Sequence, residues 1–395
     1  MTFQHRLNRS LHKYSGLACL PLFLLLAISG ILLNHPEWVR NLSIPGQFLP
    51  VSHQYDNWNR AIWRTTVRNG DHIYVGGKAG VWYSSDGGSH FSPLQNGYPA
   101  NPYDQDTFSL IRFHSEDSAD LFAGTRRGLY RYDEGTNRWT NIPFPGKEVM
   151  AVADLSQVGD RLLVFTQQSC YVLRASADEL ETTAFPLSFA PQDEPQTTRL
   201  FQILLRLHSG AILGPPGGLL VDIGGLILVF LCTTGILIWL LRRRRLPLRR
   251  LRSSLSWMYR KHLSLGILFL PLLIVITLTG VLIRPPFLTS IASLSVPAKV
   301  LSAQNGSNWI PRIDKVHHQP QTNSLLLATR AGFFSGPDDF STPFVKLPIN
   351  VPHSSMGVTV MAEVDDTTLL IGSFRGLYLW NRDTLTSEPV FSRQR

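Results

Sequence analysis

Charge is scarce in this sequence. Asp, Glu, Lys and Arg make up 16% of its 395 residues, against roughly a quarter in an average soluble domain. Cysteine is scarcer still. Of Cys19, Cys170 and Cys232, the first and last fall in long apolar runs, so no disulfide framework can brace the rest. There is no Cys-x-x-Cys-His, which excludes covalent c-type haem attachment, and no Gly-x-Gly-x-x-Gly following a strand, which removes the usual dinucleotide site. No pair of carboxylates is arranged as a glycosidase would need. Acid is missing from two stretches altogether. Residues 1–13 and 242–261 hold twelve Lys and Arg and no Asp or Glu, while the whole chain is only +9. The rest is therefore net negative, and a nucleic-acid partner is set aside. Both basic stretches abut apolar runs, which is a bilayer pattern. At 44% hydrophobic and 10% aromatic residues, the chain is not disordered.

Three uncharged runs stand out: Tyr14 to Leu33, Ile223 to Leu241 and Leu263 to Ile283. At about 1.5 Å per helical residue each reaches roughly 30 Å, the hydrocarbon thickness of a bilayer. A buried core helix is the alternative for any one of them. Positive residues face the cytoplasm, so the amino terminus and the loop 242–261 are expected inside. The first run ends at Leu33-Asn34-His35-Pro36 without a small-x-small cleavage site and reads as an uncleaved signal anchor. The expected organisation is a cytoplasmic terminus (1–13), spans at 14–34, 217–241 and 262–284, and an external segment at 35–200. An interfacial helix (201–216) carrying His208, a basic cytoplasmic loop (242–261) and a second external segment (285–395) complete it.

The first and third runs repeat one another at an offset of 250. His12, Gly16, Pro21, Gly30 and Pro36 match His262, Gly266, Pro271, Gly280 and Pro286. A shorter phrase occurs three times, as Ser29-Gly30-Ile31-Leu32, Thr234-Gly235-Ile236-Leu237 and Thr279-Gly280-Val281-Leu282. At 100° per residue, positions 12 and 30 share one helix face with Gly16 close by, and positions 262, 266 and 280 do the same. Histidine beside a face without side chains could hold a flat macrocycle. The alternative is that the glycines only let helices approach.

Four of the twelve histidines lie at span boundaries. His12 and His262 belong to the cytoplasmic side, His35 and His208 to the outer side. This layout suits one or two b-type haems with bis-histidine ligation, an inner one on His12 and His262 and an outer one on His35 and His208. Interfacial histidines with wet tips are the alternative. Asp222 stands at the outer end of the second run, where ionisable groups are usually paired or functional. Arg284, or a ligating histidine, is its expected partner.

These residues together resemble the PepSY-associated transmembrane helix family. The likeness is carried by His12-Lys13-Tyr14-Ser15-Gly16, the run 29–35, Leu207-His208-Ser209-Gly210, residues 221–226, and His262 to Gly266 with Thr279 to Leu282. The resemblance implies an inner-membrane haem protein that moves electrons across the membrane, some such proteins reducing ferric siderophores. This sequence departs from the pattern in having no PepSY domain outside the membrane, and three spans where the better-known reductases have four.

Outside the membrane a second repeat is visible. Ile73 to Trp82, Leu121 to Tyr130, Leu162 to Tyr171, Leu325 to Phe334 and Leu369 to Tyr378 are variants of strand, glycine turn, strand, spaced 48 and 41 residues apart in the first three and 44 in the last two. Such periods predict blades of a β-propeller. About five blades are expected, built from two segments, with the second and third spans inserted between blades three and four. A further divergent blade would fall in 35–60 or 188–200. Ser84 to Phe91 resembles the Asp-box of BNR and sialidase-type propellers, a structural turn whose aromatic residue is expected to tuck inward. His72, His90, His114, His317, His318 and His353 read as surface or core residues of this domain.

The fold class expected is thus a membrane protein with three transmembrane α-helices and an all-β propeller-like external domain. The function expected is a haem-dependent oxidoreductase passing electrons to an external acceptor, with a ferric chelate as the family-based guess. Its partners would be the lipid bilayer, that acceptor, a protein docked on the propeller and a second copy of the chain. The alternative is a non-enzymatic, membrane-anchored propeller that binds or assembles a partner protein. A transmembrane sensor is disfavoured, because the cytoplasmic parts are too short to fold as an output domain.

Overall fold

The computed structural model describes residues 3–391 apart from 40, 43–44, 49, 52–62, 116–118, 146–149, 176–179, 191–196, 244–251, 292–293, 298–310, 353–356 and 374. Residues 244–251 of the basic loop, His353 and much of the two stretches expected to hide a further blade lie outside the described residues. The chain forms two compact units, residues 1–39 with 195–305, and residues 40–194 with 306–395.

The first unit is helical. Its elements are α1 (Phe3–Asn34), α2 (Pro36–Val39), α3 (Leu200–His208), α4 (Pro215–Arg243), α5 (Arg252–Leu282) and α6 (Phe287–Ile291). Stretches Leu7–Asn34, Pro215–Arg243 and Ser254–Leu282 are long and apolar enough to cross a bilayer. α1 and α5 begin well before the apolar runs, because nothing in 3–13 or 252–262 breaks a helix and Arg, Lys and Leu favour one. Pro21 and Pro271 sit inside α1 and α5 at matching points of the repeat. Each removes one backbone donor, which apolar helices tolerate better than soluble ones. α1 packs on α4, and α4 and α3 pack on α5. Gly210, with φ of +78°, meets the backbone of Gly217 directly. A side chain at either position would push the end of α3 off the start of α4. A two-stranded ribbon joins Thr197–Arg199 to Ser295–Pro297.

The second unit contains five four-stranded antiparallel sheets among the described residues, each a simple meander. Their first and second strands are Trp63–Asn69 and His72–Gly77, Thr107–His114 and Ala119–Thr125, Val152–Val158 and Arg161–Thr166, Ile313–Gln319 and Ser324–Thr329, and Val358–Glu363 and Thr368–Ser373. The five repeats of the sequence are the central hairpins of these sheets. Every first strand slips register once, at Arg64, Phe108, Ala153, Asp314 and Thr359. An extra residue at the same place in each sheet is a built feature of the repeat.

The residue after that bulge ties neighbouring sheets. Thr65 Oγ1 accepts the Leu110 N–H at 3.0 Å, Ser109 Oγ accepts the Leu155 N–H at 3.3 Å, and an Asp154 carboxylate oxygen accepts the Val316 N–H at 2.9 Å. Hydroxyls also close the second-strand turns. Thr125, Thr166, Thr329 and Ser373 each accept backbone N–H groups two or three residues on. The third and fourth sheets share one apolar core, with Leu163, Phe165 and Cys170 against Ile313, Leu325, Phe334 and Phe344. Both chain segments thus contribute to a common core.

The Asp86 turn takes the expected form. Ser84 Oγ donates to Asp86 Oδ1 at 2.7 Å, and Asp86 Oδ1 accepts the His90 N–H at 3.0 Å. These bonds, the backbone one foremost, hold the Asp86 carboxyl well below its usual range. The aromatic does not tuck inward. Phe91 stays 37% exposed, beside Trp63 at 6.3 Å between ring centres. The turn satisfies itself through its own hydrogen bonds and does not need that anchor.

Candidate functional site

Within the helical unit, the buried polar side chains among the described residues are Asp222, Thr234 and Thr279. Each holds one of the four boundary histidines. A polar group buried at bilayer depth is costly unless bonded, so these three contacts define the site.

At the end of α4 that carries Thr234, His262 Nδ1 lies 2.9 Å from the Thr234 Oγ1. The His12 ring from α1 stands against the His262 ring edge to face, with centroids 6.2 Å apart and planes at 73°. The inner pair expected from the sequence is therefore brought together, His12 exposed and His262 half-buried. Gly235, next to Thr234, lies beside the ring, and a β-carbon there would touch His262 Cε1 at an ordinary 3.5 Å.

The same arrangement recurs toward the other end of α5. His208 Nδ1 lies 3.1 Å from Thr279 Oγ1 and 3.0 Å from the Ile276 carbonyl oxygen. A β-carbon at Gly280 would come within 3.0 Å of His208 Cε1. Two of the three copies of the hydroxyl-glycine phrase thus seat a histidine. At the third, Ser29 bonds back to the Leu26 carbonyl, and a β-carbon at Gly30 would meet nothing within 4 Å. Gly16 likewise faces nothing within 4 Å, and Gly266 faces Leu231 at 3.7 Å. Of the four glycines expected to support a ligand, only Gly280 touches a histidine.

His35 is held differently. Its Nε2 is 2.8 Å from Asp222 Oδ2, its Nδ1 is 3.2 Å from Glu37 Oε1, and its ring stacks on Trp38 at 4.1 Å. Asn34 Nδ2 donates to Asp222 Oδ1 at 2.9 Å. Asp222 thus takes a histidine and an asparagine, and Arg284 makes no ion pair among the described residues. With a carboxylate on each nitrogen, the Asp222 hydrogen bond foremost, the His35 imidazole is pushed up from its ordinary value. No hydrogen bond or ring contact joins His35 to His208 among the described residues. The expected outer pair is not assembled as the inner one is.

Sequence reasoning singled out the threonine-glycine phrase as a repeat but gave its hydroxyls no role. The available signal was that every copy begins with Ser or Thr, residues a close-approach motif does not require. The external unit has a cavity of about 350 Å³ lined by Asn69, His72, Tyr83, Arg112, Tyr132 and Glu134. Its polar groups largely pair with one another, His72 with Tyr83 and Arg112 with Glu134.

Three apolar helices beside a unit of antiparallel sheets define a multi-pass membrane protein with an external domain. The sequence matches the PepSY-associated TM region over residues 9–330, and the chain belongs to that family. No curated protein matches it. Among solved structures it is similar to the extracellular domain of a one-component system from B. thetaiotaomicron, at 10% identity and a TM-score of 0.38, over 85% of this chain and 34% of that one. It is also similar to PorZ, a surface component of the type-IX secretion system of Porphyromonas gingivalis, at 10% identity and a TM-score of 0.36, over 83% of this chain and 33% of that one. The chain spans about a third of the length of these structures.

Proposed function

We propose that this protein is a b-type haem protein of a bacterial inner membrane that passes electrons to an acceptor outside. One observation carries the reading: His12 and His262, from different helices, face each other with ring centroids 6.2 Å apart. The donor set fits, since two imidazoles would serve as ligands of a haem b iron.

His12 and His262 would hold the inner haem. The chemistry it would supply is one-electron transfer. This chain's residues would ligate, orient and exclude water. His208 is the outer donor on the same pattern, while His35 would have to release Asp222 before it could ligate. The reading therefore commits to an inner haem and makes an outer one conditional on that release. A ferric chelate is the proposed acceptor class, which makes the activity ferric reductase-like.

The amino terminus would lie in the cytoplasm and the sheet unit in the periplasm. The five sheets would be the blades of a β-propeller, with the Asp86 turn its Asp-box. Successive first strands contact one another from the first sheet to the fifth, as the inner strands of blades do. That unit would dock the acceptor or a partner protein. A homodimer would supply the further helices needed to enclose a macrocycle.

A reduced-minus-oxidised spectrum of the detergent-purified protein, with haem per chain quantified, tests this. A low-spin b-type signal at one haem per chain, lost in His12→Ala and in His262→Ala, is the expected result. A second haem that disappears in His208→Ala would add the outer site. No haem in protein made with haem supplied would sink the reading and leave a membrane-anchored propeller that binds a partner.

A further inference from the structure

The two histidine seats resolve which ring nitrogen carries the proton. Thr279 Oγ1 is 2.7 Å from the Val275 carbonyl oxygen, and Thr234 Oγ1 is 2.7 Å from the Phe230 carbonyl oxygen. A threonine hydroxyl has one hydrogen, and in a helix it goes to the carbonyl one turn back. Its oxygen then faces the imidazole as an acceptor, so the imidazole must donate. His208 has a second acceptor on the same nitrogen. The Ile276 carbonyl oxygen, 3.0 Å from the same Nδ1, can only accept. For His262 the donor role of Nδ1 rests on the hydroxyl alone.

We infer that Thr234 and Thr279 are tautomer-setting seats, in which the hydroxyl binds the Nδ1–H of His262 or His208 and Nε2 keeps its lone pair for a metal; at the second seat Gly280 also makes room for the ring. Among the described residues neither Nε2 has a hydrogen-bond partner. The device is the one by which metal-binding histidines are generally oriented, a fixed acceptor on the far nitrogen. Thr234 and Thr279 are positioning residues here and touch no ligand themselves. His35, with a carboxylate on each nitrogen, is the counterexample within the same molecule, since neither nitrogen is left without a partner.

The assignment of ligating nitrogen rests on the haem reading; the assignment of tautomer does not, and the experiment separates them. Full-length protein labelled with ¹⁵N in its imidazole rings is prepared without haem in lipid nanodiscs, with His208→Gln and His262→Gln to assign signals. His208 and His262 should show protonated Nδ1 and unprotonated Nε2. Thr279→Val and Thr234→Val, which keep the shape and remove the acceptor, should mix the tautomers of the histidine each one holds. Serine in the same places should restore them. Finding either ring as the Nε2–H tautomer in the wild type would overturn the inference for that seat. Haemin titration gives the second arm. Thr234→Val should weaken uptake about 10- to 100-fold, and Thr234→Ser should recover it. An unchanged affinity in the valine variant would overturn the positioning role. Correct tautomers in a wild type that takes up no haemin would support the seats and defeat only the haem reading.

Discussion

Asp222 and His35 meet at 2.8 Å from opposite sides of the packing between α1 and α4, and this pair ties the end of the first helix to the start of the other. The contact favours the charged imidazole. Its contribution to stability is therefore full below about pH 6.5, the ring's ordinary value, and is lost as pH rises through the raised value of the folded protein. Asp222→Asn keeps the shape and removes the charge. The melting temperature of the wild type in detergent should fall between pH 6 and pH 8, and that of Asp222→Asn should fall less. Imidazole titration followed by NMR should show His35 moving down in the variant. An unmoved His35 would mean that Glu37, the weaker and more exposed neighbour, governs it.

Gly280 and Gly30 stand at matching points of the repeat but in unlike surroundings. A β-carbon at 280 would meet the His208 ring, whereas one at 30 would meet nothing within 4 Å. Gly30→Val should be close to neutral. Gly280→Val should cost about 1–3 kcal/mol, as overpacking does, and should displace His208. Thermal melts of the two variants in one detergent check this directly. Equal losses would mean that the glycines serve α1 and α5 alike, as helix-approach residues.

Much of this was legible in the sequence because it is periodic. Uncharged runs of about 20 residues have few uses other than spanning a bilayer, and five glycine-turn hairpins, recurring at 41 to 48 residues within each of two segments, leave little besides a repeated sheet. The pairing of His12 with His262 was legible as well, since both begin matching copies of one phrase. The partner of Asp222 was half legible. Depth along the chain placed it near both Arg284 and His35, and only the packing of α1 on α4 decides for His35. The seats at Thr234 and Thr279 were hidden for a different reason. A threonine in an apolar helix ordinarily satisfies itself on the preceding turn, so its sequence context says nothing about a second bond. That His208 reaches α5 depends on the backbone contact of Gly210 with Gly217, between residues whose closeness no periodicity announces.

Two distant pieces of chain make one external unit. Asp154, on the first strand of the third sheet, is 5% exposed and sits 3.1 Å from Lys315 Nζ on the first strand of the fourth. It also accepts the Val316 N–H, and Lys315 donates to the Phe108 carbonyl of the second sheet. One carboxylate therefore serves a backbone donor and an ammonium group from a segment more than 150 residues away. Removing it leaves a mostly buried ammonium unpaired and a backbone donor unsatisfied, which places the loss near that of a broken buried ion pair, about 3 kcal/mol. Asp154→Ala should show this in urea melts of the full chain. Lys315→Met should cost less, because the carboxylate would keep its bond to the Val316 N–H. The double variant Asp154→Leu with Lys315→Met should recover part of the loss. A double variant no better than Asp154→Ala would show that the bond to the Val316 N–H, and not the ion pair, joins the segments.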